Sequence, residues 1–221
     1  MGDLFEVVTP LHTATARDYL SRMNDDKVEA MSVAQRYDRD YWDGDRRYGY
    51  GGYRYLPGRW KPVAEALIER YELSNDSSII DIGCGKAFLL YEIQQLLPGA
   101  SLVGLDVSQH ALDQAHDAFR GELILGRAEE PLPYEAASFD FAFSLATLHN
   151  LRIFEAKFAL EEMSRVSGQQ FVMVESYRTN AELFNLECWA LTARTFLDPE
   201  EWAWLFRASS FSGDFEFIYF D

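Results

Sequence analysis

Between residues 78 and 176, short apolar runs alternate with helical patterns, and this alternation leaves few folds open to the chain. "SIIDIG" (78–83), "SLVGLD" (101–106), "ELILGRA" (122–128), "FDFAFSL" (139–145) and "QQFVMVES" (169–176) each read as a strand. Between them, 86–97 reads as a helix stopped at Pro98-Gly99, 108–119 as a helix opened by a Ser108 cap, and 154–167 as a helix ended at Gly168. Strands that are apolar throughout and separated by helices predict a parallel sheet covered on both faces. Upstream, 15–42 reads as mostly helical, and 59–71 as a helix with Val63, Leu67 and Tyr71 on one face. Downstream, 187–196 reads as extended, "DPEEWAWLFRAS" (198–209) as a helix, and "DFEFIYF" (214–220) as a final strand. The expected fold is α/β: a doubly wound, Rossmann-like, mostly parallel sheet. It would carry an antiparallel C-terminal edge strand and an N-terminal helical and lid extension. The division falls at 1–58 for the extension and 59–221 for the sheet domain.

A doubly wound sheet binds ligands beyond the carboxyl ends of its strands. There the chain reads "IIDIGCGKAF", then "LVGLDVS". Gly83 and Gly85 permit a sharp turn and close approach of a ligand to the backbone. Asp106 ends the second strand, 21 residues after Gly85, where a carboxylate can accept both hydroxyls of a ribose. A dinucleotide needs a third glycine where this chain has Phe88, which disfavours NAD and an oxidoreductase. S-adenosylmethionine carries no phosphate, and its ammonium suits an acidic residue at Asp81.

Four pieces in order, "DIGCGKA", "GLDVS", "AEEPLPYEAASFDFAFSLATLHNL" and "EEMSRVSGQQFVMVE", resemble the class I S-adenosylmethionine-dependent methyltransferases, specifically the small-molecule group that includes quinone-biosynthesis methyltransferases. They span roughly 60–177. Ala87 departs from the glycine usual at its position. The resemblance implies that Asp81, Gly83, Cys84 and Gly85 line the methionine portion and that Asp106 holds the ribose, with Val107 against the adenine. It places Ala128 and Glu129 at the adenine edge, and Ser144 and Leu145 beneath the methyl group. His149, just after the fourth strand, is the candidate catalytic base, with packing or helix capping as its alternative use. The Asn/Asp-Pro-Pro-aromatic motif of amino methyltransferases acting on nucleobases is absent; "SLATLHN" stands there.

One stretch falls outside the alternation. "YDRDYWDGDRRYGYGGYRY" (37–55) contains six of the chain's 12 tyrosines and no aliphatic side chain. In this fold the residues ahead of the first strand commonly cross the cofactor site as a lid. Tyr53 and Arg59 are assigned to the cofactor side, and Trp42, Arg47, Tyr48, Tyr50 and Arg54 to the acceptor side. A solvated, self-paired loop and a homodimer interface are the alternatives.

A net charge of −16 disfavours nucleic acid and anionic membranes as partners. Two cysteines without metal spacing suit a reducing cytoplasm, and no metal site is expected. No apolar run is long enough for a bilayer, and the first residues lack a signal-peptide pattern. The reading is therefore methyl transfer to an oxygen or nitrogen of a small polar acceptor, anionic or sugar-like. A binding or scaffold protein that keeps the fold without turnover is the competing reading.

Overall fold

A computed structural model describes residues 1–221. The predicted alternation folds as a single sheet. β1 (Ser78–Ile82), β2 (Ser101–Asp106), β3 (Glu122–Leu125), β4 (Phe141–Leu145), β5 (Gln170–Glu175) and β6 (Asp214–Ile218) stand in the order β3-β2-β1-β4-β5-β6. Strand order reverses between β1 and β4, so the carboxyl ends of those strands flank the crevice expected to bind a ligand.

Period-two alternation builds two cores. Ile80, Ile82, Val103, Leu105, Ala142, Val172 and Val174 face one layer, packed under α8 (Ile153–Val166) and α10 (Pro199–Ala208). Ile79, Leu102, Phe141, Phe143, Phe171 and Met173 face the other, under α5 (Lys61–Arg70) and α6 (Phe88–Leu96). Phe141, Phe143 and Phe171 are fully buried, each worth roughly 1.5–3 kcal/mol in side-chain transfer. This rigid base holds the carboxyl-end loops in place.

The C-terminal expectation is corrected in two respects. Residues 187–196 do not form a strand: α9 (Asn180–Trp189) takes their first part. Thr179 Oγ1 accepts the Glu182 N–H at 3.2 Å, and Glu182 accepts the Arg178 N–H at 2.6 Å, a start signal that the sequence reading overlooked. Nor is the edge antiparallel. β6 runs parallel to β5, from Phe171 opposite Asp214 to Glu175 opposite Ile218. With α9 and α10 between them, β5 and β6 are joined by a helical crossover, which sets neighbouring strands parallel.

Nearer the start, the helical reading of 15–42 resolves into α2 (Tyr19–Asn24), α3 (Lys27–Ala34) and α4 (Arg39–Asp43). Asp26 and Tyr37, with φ of 42° and 53°, break the run. Ahead of them, α1 (Thr9–Thr13) is tied to β6. The fully buried Glu216 carboxylate accepts the N–H groups of Val8 at 2.9 Å and Thr9 at 2.6 Å, satisfying helix-start donors. Leu4 bridges Phe215 in parallel, covering the free edge of the sheet. Finally, α7 (Gln109–Asp113) is shorter than its predicted span of 108–119.

Candidate active site

The loop after β1 is shaped by close approach. Gly83 has φ +87°, and a Cβ there would lie 1.9 Å from Thr147 Oγ1. Gly85 has φ +55°, and a Cβ would lie 2.8 Å from the Trp42 indole. Only glycine avoids both the strain and the overlap. Asp106, 7% exposed, holds the loop: its carboxylate accepts Gly85 N–H at 2.7 Å and Ser108 N–H at 2.8 Å. Burial raises its pKa, against those backbone donors. Asp81 has a stronger demand. It is 5% exposed, its Oδ1 has no hydrogen-bond partner, and burial followed by the Asp106 charge pushes its pKa well up. A buried carboxyl oxygen without a partner is costly and calls for a donor or a cation.

A cavity of about 290 Å³ opens beside these groups. Gly83, Asp106, Val107, Ala128, Glu129 and Leu145 line it, as the sequence reading assigns to the cofactor side. Trp42 and Tyr50 line it too, from the lid. Asp81, Cys84 and Gly85 stand behind the lining, in the supporting loop. Ser144 is fully buried and donates to Ile82 O at 2.7 Å. Arg127 and Arg152, on the rim, are neutralised by Glu129 and Glu155. The donor set fits S-adenosylmethionine on one structural ground above all: the orphaned Asp81 oxygen, at the end of β1 just before the glycine loop, suits an ammonium.

A second cavity, about 420 Å³, adjoins the first; Tyr41, Tyr50, Ala146 and Asn150 line both. Tyr53, Arg54 and Arg59 line this second cavity, so Tyr53 and Arg59 stand apart from the cofactor residues expected beside them, while Trp42, expected with the acceptor residues, lines only the first. Arg47 and Tyr48 line neither cavity: Arg47 pairs with Asp25 at 3.4 Å and Glu29 at 3.6 Å, and Tyr48 sits 5.2 Å beneath its guanidinium.

The tyrosine-rich stretch forms the partition. Trp42 and Tyr50 stack at 5.1 Å and 7°, Tyr41 meets both edge-on, and Tyr53 continues the chain to Phe88 at 5.2 Å. Three polar anchors fasten it: Trp42 Nε1 donates to Ser108 Oγ at 2.9 Å, Lys86 Nζ to Asp43 Oδ1 at 2.7 Å, and Tyr55 to Glu92 at 2.8 Å. Lys86 belongs to the glycine-loop motif, yet its partner 43 residues upstream is invisible to local pattern.

His149 is 3% exposed, and burial, opposed by Glu175, lowers its pKa. Its Nδ1 accepts the Glu175 N–H at 3.2 Å, which places the proton of the neutral ring on Nε2, 3.3 Å from Glu175 Oε2. Both residues line the second cavity. Glu175 ends β5 at the ligand-binding edge, and its position in "FVMVE" was a signal available in the sequence but not used. Asn150, on the shared wall, was missed as well; its Oδ1 is buried without a partner.

The family described as "Methyltransferase domain" matches residues 79–169. The malonyl-[acyl-carrier protein] O-methyltransferase of Hahella chejuensis is 31% identical over 137 residues, 61% of this chain and 48% of that protein. The chain thus spans about half the length of this curated relative. Among solved structures, a complex between the Haloferax volcanii Trm112 methyltransferase activator and a methyltransferase matches with TM-score 0.56 at 17% identity, over 88% of this chain and 77% of that one. The [4+2]-cyclase SpnF matches with TM-score 0.55 at 18% identity, over 95% of this chain and 75% of that one. Likeness at this identity shows the fold alone. Together with the glycine loop, Asp81 and Asp106, the methyltransferase domain matched at residues 79–169 supports a class I S-adenosylmethionine-dependent methyltransferase.

Proposed function

We propose that the chain transfers a methyl group from S-adenosylmethionine to an oxygen or nitrogen of a small polar metabolite, with the cofactor in the first cavity and the acceptor in the second. The observation carrying this reading is the shared wall: Tyr41, Tyr50, Ala146 and Asn150 border both spaces, so ligands in the two would meet there. A relative named for O-methylation supports oxygen as the attacking atom.

When bound, S-adenosylmethionine supplies an activated methyl group on a sulfonium, so positioning accounts for much of the catalysis. Asp81 would hold the ammonium and Asp106 the ribose hydroxyls, through lone pairs that its two backbone donors leave free. The aromatic partition of Trp42, Tyr50 and Tyr53 excludes water from the junction and offers ring faces to a cation. Glu175 takes the acceptor proton. His149, neutral and with its proton on Nε2, orients that carboxylate as a positioning residue. This division of roles replaces histidine as base, since the lowered pKa and burial of His149 suit it to fixed donation.

Calorimetric titration with S-adenosylmethionine and its demethylated product tests the cofactor half. Binding is expected below about millimolar concentration, and no heat from either ligand overturns the reading. A screen of small metabolites for transfer of labelled methyl groups then identifies the acceptor.

A further inference from the structure

The second cavity is basic inside a strongly acidic protein. Arg17, Arg22, Arg46, Arg54 and Arg59 line it against a single carboxylate, Glu175. The chain as a whole carries −16. Every cationic side chain needs a reason to stay where no carboxylate is near. None of these five arginines has a carboxylate oxygen within 4.0 Å, whereas Arg127, Arg152, Arg165 and Arg178 all do.

Three of them converge on one indole. The guanidiniums of Arg17, Arg22 and Arg46 lie 5.4, 5.0 and 5.2 Å from the Trp189 ring. Cation–π attraction offsets part of their mutual repulsion. The remainder shows in their titration: burial and then Arg46 lower the Arg22 pKa to about 10, and burial is the leading cause lowering that of Arg17. The local scaffold holds them fast. His12 Nε2 donates to Tyr219 O at 2.9 Å, leaving Nδ1 to accept Arg17 Nη2 at 3.0 Å. Arg22 Nη1 donates to Arg46 O at 2.6 Å. Yet Arg17 Nε and Arg22 Nε are both buried with no partner. A guanidinium presents five donors in a fixed fork, matched to carboxylate or phosphate oxygens.

We infer that Arg17, Arg22 and Arg46, stacked on Trp189, form an anion subsite that holds a multiply charged head of the methyl acceptor, a phosphate monoester or a dicarboxylate. This inference rests on the reading of the second cavity as the acceptor site. It extends the specificity machinery beyond the lid, to α2 and α9, which lie outside the matched methyltransferase domain. The acceptor's anionic end is held here, while Glu175 and the shared wall receive its reacting end.

The test uses inorganic phosphate, pyrophosphate and succinate as probes, with indole fluorescence and calorimetry on the full chain. Wild type should bind at least one of them at about millimolar or better, with a shift in Trp189 emission. Arg22→Gln and Arg46→Gln should each weaken that binding at least about tenfold, while Arg46→Lys retains part of it. Affinity for the demethylated cofactor product should be unchanged in all three. Preference among the probes separates a phosphate head from a dicarboxylate. No binding of any probe to wild type, or undiminished binding in both glutamine variants, overturns the subsite. Loss of cofactor-product binding by wild type would instead strike the proposed function itself. Trp189→Phe, which keeps an aromatic face, serves as the second variant: its probe binding should fall less than that of Arg22→Gln.

Discussion

The two adjoining cavities are built by different means. The first is framed by the ends of β1, β2 and β4, whose loops carry their chemistry within a few residues: Gly83 and Gly85, then Asp106 and Ser108. Two of its four lining arginines, Arg127 and Arg152, are neutralised in place by Glu129 and Glu155, whereas Arg36 and Arg194 are not. The second draws on α1, α2, the lid, the end of β5 and α9, from Val8 to Ile218, and leaves its arginines without carboxylates. In the proposed function, a cofactor shared by many enzymes would be met by compact loops on a rigid sheet, and an acceptor particular to this chain by added segments. The contrast also fits the comparisons, because the matched domain at 79–169 contains most of the first cavity's strand-end residues and little of the second cavity.

Variants that respect this division sharpen it, and those that cross it break it. The largest effect is expected for Glu175→Gln, which should lower turnover by about 10²–10⁴-fold with cofactor affinity unchanged, as single-turnover kinetics and calorimetry would read. A matching loss of cofactor binding would merge the two sites. Gly83→Ala comes next. Its Cβ would overlap Thr147 Oγ1 and its φ of +87° would be strained, so cofactor binding should fall more than about tenfold while probe anions still bind the arginines.

Asp81→Asn should weaken cofactor binding about tenfold and remove its pH dependence. The sign follows from burial: the raised pKa keeps Asp81 protonated in the free protein to a higher pH than an ordinary carboxyl. An ammonium favours the ionised form, so binding releases a proton and affinity rises with pH until Asp81 ionises unaided. Calorimetry in buffers of differing ionisation enthalpy counts that proton. His12, lining the second cavity, provides the equivalent there. Burial, then Arg17, lowers its pKa to about 4, so its contribution to stability is present above pH 6.5 and is lost as pH falls from 6.5 toward 4. His12→Gln should flatten thermal stability over that window. The smallest effect is Ala87→Gly: Ala87 sits at φ 55°, and relief of that strain should raise stability by at most about 1 kcal/mol in denaturant titration.

The same division explains what could be read from the sequence. Asp106 and the glycine loop were legible because they sit at strand ends, and strand ends follow from local periodicity. Ala87, noted only as a departure from the usual glycine, proves to occupy left-handed backbone. The parallel edge was missed because α9 starts on the Thr179 and Arg178–Glu182 contacts, while the stretch from 187 to 196 looked extended by composition. Tyr53 and Arg59 line the second cavity and not the first, because spacing locates a lid in the chain without saying which side a residue lines. Arg17, Arg22 and Trp189 lie up to 172 positions apart (17 to 189), and only tertiary structure joins them.

A crystal structure with the demethylated cofactor product bound tests the central claim most directly. The amino group is expected on Asp81 Oδ1 and the ribose hydroxyls on Asp106, with the arginine-lined cavity left free beyond Tyr41 and Tyr50. Product seated instead among Arg17, Arg22 and Arg46, with the Asp81 oxygen still without a partner, would contradict it.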